Sequence, residues 1–283
     1  MSIYRLTLFT TLAMVAFAAN SLLCRLALAD AGMDAASFTS IRLLSGAMTL
    51  AAFVYFKGGS HTLGGNWLSA TALLAYALGF SFAYISLSAA TGALLLFGTV
   101  QATMIGYGII SGERPNVKQW VGLSSAFIGL LILFLPGLEK PPLMGALLMA
   151  GAGIAWAVYS LRGRNSGNAT QETAGNFLRA APLAAVLCVP WWSSVNVSMW
   201  GVIYALASGV LASGLGYAVW YRVLPSLKAT TAATVQLSVP VIAALGGVAF
   251  LAEPVSPQLA IATAAILGGV AVFIVARNSS PNS

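Results

Sequence analysis

An internal echo constrains this chain more than any single motif does. Residues 89–115 read AATGALLLFGTVQATMIGYGIISGERP, and residues 229–255 read ATTAATVQLSVPVIAALGGVAFLAEPV. At an offset of 140 the copies align Ala89 with Ala229, Thr91 with Thr231, Gly106 with Gly246 and Glu113 with Glu253. Each copy runs for more than 20 residues without a charge and then stops at its Glu. A helix needs about 20 apolar residues to cross a hydrocarbon core of ~30 Å. The repeated unit is therefore a membrane unit.

Composition points the same way. The chain is 59% hydrophobic and 7% charged, with a mean hydropathy of +0.89, whereas soluble domains carry roughly a quarter of their residues as charges. The 13 basic residues exceed the 6 acidic ones, but they are scattered between apolar segments, so the partner is the lipid bilayer and not nucleic acid. Ten spans are expected, at 6–28, 35–56, 66–87, 90–111, 117–135, 143–161, 173–193, 200–221, 230–251 and 257–276. The first apolar run is longer than a signal-peptide core of ~7–15 residues, and it is read as an uncleaved helix. With the N-terminus inside, Arg5, Lys57, Arg114, Lys118, Arg162, Arg164, Arg222, Lys228 and Arg277 fall on the cytoplasmic side, against Arg25 and Lys140 outside. Both termini are then cytoplasmic in a multi-pass inner-membrane protein.

The echo extends through the chain. Phe17-Ala18-Ala19-Asn20-Ser21 matches Trp156-Ala157-Val158-Tyr159-Ser160 at offset 139, and Arg42 matches Arg179 at offset 137. The chain divides into five-helix units at 1–138 and 139–277, followed by a tail at 278–283 expected to be disordered. Because five is odd, the second unit is inverted relative to the first. Inverted repeats with a site at their interface are a common build of secondary transporters.

The five-plus-five arrangement resembles the drug/metabolite transporter superfamily. The resemblance rests on an Arg early in the second and seventh spans, an aromatic-small-small pattern in the first and sixth, and Glu113 and Glu253 closing the fourth and ninth. Within the superfamily the chain is similar to ten-helix exporters that carry the EamA domain twice, and to their aromatic amino-acid exporter branch. The resemblance implies a central cavity lined by both halves and open alternately to each side, with the fifth and tenth helices peripheral.

Few side chains are available to line such a cavity. The candidates are Asn20, Thr39, Ser40, Ser81, Tyr84, Gln101, Trp156, Tyr159, Asn176, Ser213, Tyr217, Gln236 and Ser238, with Phe17, Phe97 and Trp220 as apolar walls. Arg42 and Arg179 lie about 10 Å into their helices at 1.5 Å per residue. They read as snorkelling or carbonyl-capping arginines, and alternatively as gate residues or docking points for a substrate carboxylate. Glu113 and Glu253 sit at Pro-containing turns and read as turn-fixing groups. Pro240 frees a backbone carbonyl and is expected to bend the ninth span.

No Asp or Glu is expected mid-span, and the single histidine, His61, lies in a loop. An enzyme would need a nucleophile with a base, or metal ligands, so enzymatic function, a metal site and a cofactor are not expected. Cys24 and Cys188 read as plain buried thiols. The expected function is export or facilitated flux of small amphipathic metabolites, amino acids including aromatic ones, by alternating access and without proton coupling. A proton-coupled multidrug or cation exporter, a channel and a non-transporting scaffold are the alternatives. The oligomeric state is left open, with a monomer favoured.

Overall fold

The computed structural model describes residues 2–56, 64–110, 112, 115–134, 141–163, 168–190, 195–223, 226–227 and 235–278. Lys57, His61, Glu113, Arg114, Lys140, Arg164, Lys228 and residues 279–283 of the expected tail 278–283 lie outside the described residues, while Asn278 ends the last helix. Among the described residues the chain is all helical. The helices are α1 (Ile3–Asp30, its last turn π-helical), α2 (Ala35–Phe56), α3 (Trp67–Ala83), α4 (Ala89–Ile110) and α5 (Val117–Phe134). They continue with α6 (Leu143–Gly163), α7 (Ala169–Leu187), α8 (Met199–Val223), α9 (Ser238–Leu251) and α10 (Pro257–Asn278). The chain is thus an all-α polytopic membrane protein.

Short polar residues set where helices begin. Asn66, Asn168 and Ser198 accept hydrogen bonds from the backbone N–H groups of Ser69, Gln171 and Gly201 at 2.9, 3.3 and 3.0 Å. Asn116 and Gln119 satisfy each other's backbone N–H in a reciprocal capping box that opens α5. Ser256 caps α10 through the Leu259 N–H, and Pro257 takes the first helical position. Helix α3 stops at Ala83, short of the expected 87, because a turn through residues 84–88 precedes a new cap, Ser88 Oγ to the Thr91 N–H. The ladder preceding α9 breaks at Leu237, so Pro240 stands in the first turn, where its missing N–H costs nothing.

Large apolar side chains face outward as well as inward, and some polar side chains are buried among the apolar core. Tyr107, Ile110, Phe127, Ile154, Leu245 and Phe250 are exposed, while Asn20, Thr39, Arg42, Ser81, Asn176, Ser208 and Ser213 are buried. Five of the described helices are long and apolar enough to span a membrane, and α3, α9 and most of α10 are shorter apolar helices. Lipid covers the outer apolar faces, and polar groups find partners only inside.

Helix α1 finishes where α6 begins: Arg25 lines a cleft together with Pro141 and Pro142. The first helices of the two units therefore run in opposite directions. Around them pack α2 against α7 and α8, α3 against α6 and α7, and α4 against α6 and α9. Helices α5 and α10 pair mainly with each other, touching the bundle through α4. Their small-residue faces permit a close crossing, because a Cβ at Gly122 would meet the carbonyl of Gly269, and one at Gly269 would meet the carbonyl of Gly122. Gly268, one residue away, has open space around it. Gly122→Val or Gly269→Val is expected to destabilise the protein by about 1–3 kcal/mol through overpacking. Gly268→Ala should leave the unfolding midpoint in detergent unchanged; equal losses for all three variants would show that the α5–α10 crossing is not close.

Candidate functional site

A ring of aromatic side chains closes on a small space at the middle of the bundle. Phe17, Asn20 and Ser21 from α1, Tyr76 and Phe80 from α3, Leu96 and Phe97 from α4, Trp156 from α6, and Ala212 and Tyr217 from α8 line it. Its volume is about 20 Å³, room for about one water. The rings interlock edge to face or tilted: Phe17 lies 5.8 Å from Tyr217 and 6.5 Å from Trp156, and Trp156 lies 4.8 Å from Tyr76 and 5.2 Å from Tyr217. Such pairs hold one another at preferred angles without a hydrogen bond.

A line of polar groups runs through this wall and joins the two units. Ser208 Oγ donates to Asn20 Oδ1 at 2.6 Å, and Asn20 Nδ2 donates to Tyr76 Oη at 3.3 Å. Arg42 Nη2 donates to the same Tyr76 oxygen at 3.1 Å, and Arg42 Nε donates to Ser213 Oγ at 3.2 Å. Ser208 and Ser213 both belong to the π-helical stretch Ser208–Leu215 within α8. Extra residues in a helix re-aim side chains, and π segments recur at functional sites. Gly209 lets this stretch lie against α2, since a Cβ there would meet Ser45 Oγ and the Arg42 carbonyl.

The two ends of the bundle are tied differently. At one end Arg25 Nε pairs with Glu253 Oε1 at 3.3 Å, Arg25 Nη1 donates to the Tyr84 carbonyl at 3.0 Å, and the Ala89 N–H donates to Glu253 Oε2 at 2.8 Å. One carboxylate thus holds the end of α1, the start of α4, where the helix dipole favours an anion, and the end of α9. Ala252, at φ 49°, turns the chain to deliver it. A cleft of about 330 Å³ opens beside this contact, lined by Arg25, Ser88, Thr91, Glu253 and the prolines before α6. At the other end Arg162 donates to Ser69 Oγ and Asn66 Oδ1, both at 3.1 Å, while Asn176 Oδ1 accepts the Asn66 N–H at 2.9 Å.

The structure brings some of the sequence candidates together and separates others. Asn20, Phe17, Phe97, Trp156 and Tyr217 line the chamber, Ser213 holds Arg42 behind it, and Trp220 packs against Phe17 at 5.9 Å. Tyr159 and Asn176 lie toward the Arg162 end with Tyr221 and Thr173. Thr39, Ser40 and Ser81 donate to carbonyls of their own helices, and Ser238 donates to the Val235 carbonyl. Tyr84 packs over Gly92 near the Arg25 end. Gln101 is buried in α4 and Gln236 half-buried before α9, both outside the chamber lining. Arg179 donates at 2.8 Å to the carbonyls of Gly64 and Gly175 and lies over Trp67. Tyr76 and Phe80 were absent from the sequence candidates; their i, i+4 spacing on one face of α3 was the available signal.

A family model described as the EamA-like transporter family matches residues 6–135 and again residues 143–275. The chain belongs to the EamA-like transporter family. It is 51% identical over 96% of both chains to an uncharacterized protein of Pseudomonas aeruginosa. It is also 25% identical to the uncharacterized transporter YwfM of Bacillus subtilis, over 87% of this chain and 86% of that one. The threonine/homoserine exporter RhtA of Escherichia coli is 28% identical over 56% of this chain and 55% of its own length. A crystal structure superposes with a TM-score of 0.70 at 22% identity, covering 96% of this chain and 98% of that one, so the fold is shared. This membership assigns a membrane transporter of small molecules. In this EamA-like chain the Glu253 contact makes a graded expectation. Glu253→Ala should lower stability by about 1–3 kcal/mol by orphaning the Ala89 N–H and Arg25. Glu253→Gln should cost less, because its amide oxygen still accepts from Ala89. Equal unfolding midpoints for the two variants would contradict this role.

Proposed function

We propose that this EamA-like protein exports small amphipathic metabolites by alternating access, with amino acids, including aromatic ones, as its cargo. The observation that carries the reading is the central chamber, built from helices of both units and walled by six aromatic rings around the amide of Asn20. An apolar, aromatic pocket with a few fixed polar groups suits a solute with an apolar side chain and a small polar head. The chamber holds about one water, so a solute enters only when the helices part. The similarity to a threonine/homoserine exporter over half the chain supports amino acids as the chemical class.

The excess of basic residues in one set of loops supports an orientation with both termini in the cytoplasm and the Arg25–Glu253 end outside. Helix ends tied by a few polar contacts on either side of the chamber, around Glu253 at one end and Arg162 at the other, would then open in turn. Glu253 is occupied in holding α1, α4 and α9, which favours a structural latch over a proton carrier, and transport is driven by the solute's own gradient. Asp34 likewise caps backbone groups, accepting from the Ser37 and Asn196 N–H groups at 2.7 and 3.0 Å.

Purified protein in liposomes tests this directly. Amino acids in a solute panel should show saturable flux and counterflow, with no uphill accumulation under an imposed pH gradient. Flux confined to organic cations, unitary channel currents, or proton-driven accumulation abolished by Glu253→Gln would each overturn part of the reading.

A further inference from the structure

Arg42 lies 1% exposed about two helical turns into α2, the largest side chain among those fully buried. Its described partners are all neutral: the hydroxyls of Ser213 and Tyr76, and the faces of Tyr76 and Phe80 at 5.3 and 5.0 Å from its guanidinium carbon. Nη1 has no hydrogen-bond partner. The ion pair found among the described residues joins Arg25 and Glu253, and the described Asp34 is committed to backbone groups at a helix end. A guanidinium keeps its charge in proteins, and an unpaired charge inside a membrane protein is among the most costly arrangements a fold can hold. Its pseudo-equivalent Arg179 is different, since its Nη1 is satisfied by two carbonyls.

The position of this charge matters as much as its isolation. Tyr76 and Phe80 are at once the shelf under the guanidinium and part of the chamber wall. Tyr76 also ties Arg42 to Asn20, which faces the chamber. Widening the chamber to admit a solute moves this wall and brings the solute toward the unpaired N–H group. A planar guanidinium matches a carboxylate by geometry and charge, and it repels a cation.

We propose that Arg42 is the carboxylate-binding residue of the transport site, so that the substrates are compounds bearing a free carboxylate, with the aromatic ring holding the remainder. This rests on the carrier reading above and narrows it: a cationic solute is disfavoured, and loss of the carboxylate should cost more than loss of the side chain.

The test compares threonine and phenylalanine with threonine amide, phenylalanine amide and phenethylamine in liposomes containing wild type, Arg42→Gln, Arg42→Lys or Lys118→Gln. Lys118 is exposed on α5 and controls for the loss of one positive charge. The expected result is wild-type flux of at least one carboxylate, at least tenfold above its amide, abolished in Arg42→Gln, partly restored in Arg42→Lys and unchanged in Lys118→Gln. Thermal unfolding separates folding from binding: Arg42→Gln should melt at or above the wild-type temperature but lose the stabilisation that the carboxylates give wild type. Carboxylate flux in Arg42→Gln with an unchanged KM, or wild-type preference for the amides or the amine, would overturn the proposal. If wild type carries no solute at all, the carrier reading fails, and the melting shifts still judge Arg42: equal carboxylate stabilisation of wild type and Arg42→Gln, or none of either, overturns the assignment.

Discussion

A positive charge sealed between helices is the constraint around which this bundle is arranged. Insertion scales place the cost of an arginine at the bilayer centre at ~2.5–3.5 kcal/mol, and Arg42 recovers part of it from hydroxyls and aromatic faces, not from an anion. Those partners come from α3 and from the π-helical stretch of α8, so the charge draws one helix from each unit onto α2. Tyr76 then passes the connection to Asn20 and Ser208. The same residues form the wall of the chamber. Keeping the guanidinium solvated by the protein and shaping the chamber are therefore one packing problem.

The ends of the bundle are held by polar contacts few enough to exchange. Glu253 ties three helix ends through one ion pair and one backbone bond, and Arg162 ties α6 to the start of α3 through two hydrogen bonds. Helices α5 and α10 press backbone to backbone through Gly122 and Gly269. Close glycine crossings also occur inside the bundle, where Gly209 lies against the Arg42 carbonyl and Gly153 against the Leu96 carbonyl.

The helices were legible in the sequence because a hydrocarbon core imposes length and apolarity on every span. Most boundaries fall within a few residues of expectation. Helix α3 ends early at Ala83 because of a turn and a Ser88 cap that the apolar run concealed, α7 runs over Ala169–Leu187 instead of 173–193, and α9 begins at Ser238 instead of 230. The repeat was legible for the same reason, through shared Glu and Arg positions. The site was legible only in part. Asn20, Trp156 and Tyr217 were readable as polar or amphipathic groups in mid-span, whereas Tyr76 and Phe80 sit in a largely apolar helix and left only their i, i+4 spacing as a signal. Arg42 and Arg179 are equivalent in sequence, yet backbone carbonyls are within reach of one and not of the other's Nη1. The π-helical stretch of α8, which aims Ser208 and Ser213 at the first unit, left no sequence signal beyond Gly209 and Gly214.

The central claim is that a buried, unpaired guanidinium awaits the anionic group of the solute. An experimental structure with a transported carboxylate bound tests it most directly. The account predicts that the carboxylate lies within hydrogen-bonding distance, about 3 Å, of Arg42 Nη1, with Tyr76 displaced and the solute's apolar part between Trp156 and Tyr217. A solute seated in the chamber with its carboxylate turned away, and Nη1 still without a partner, would contradict it.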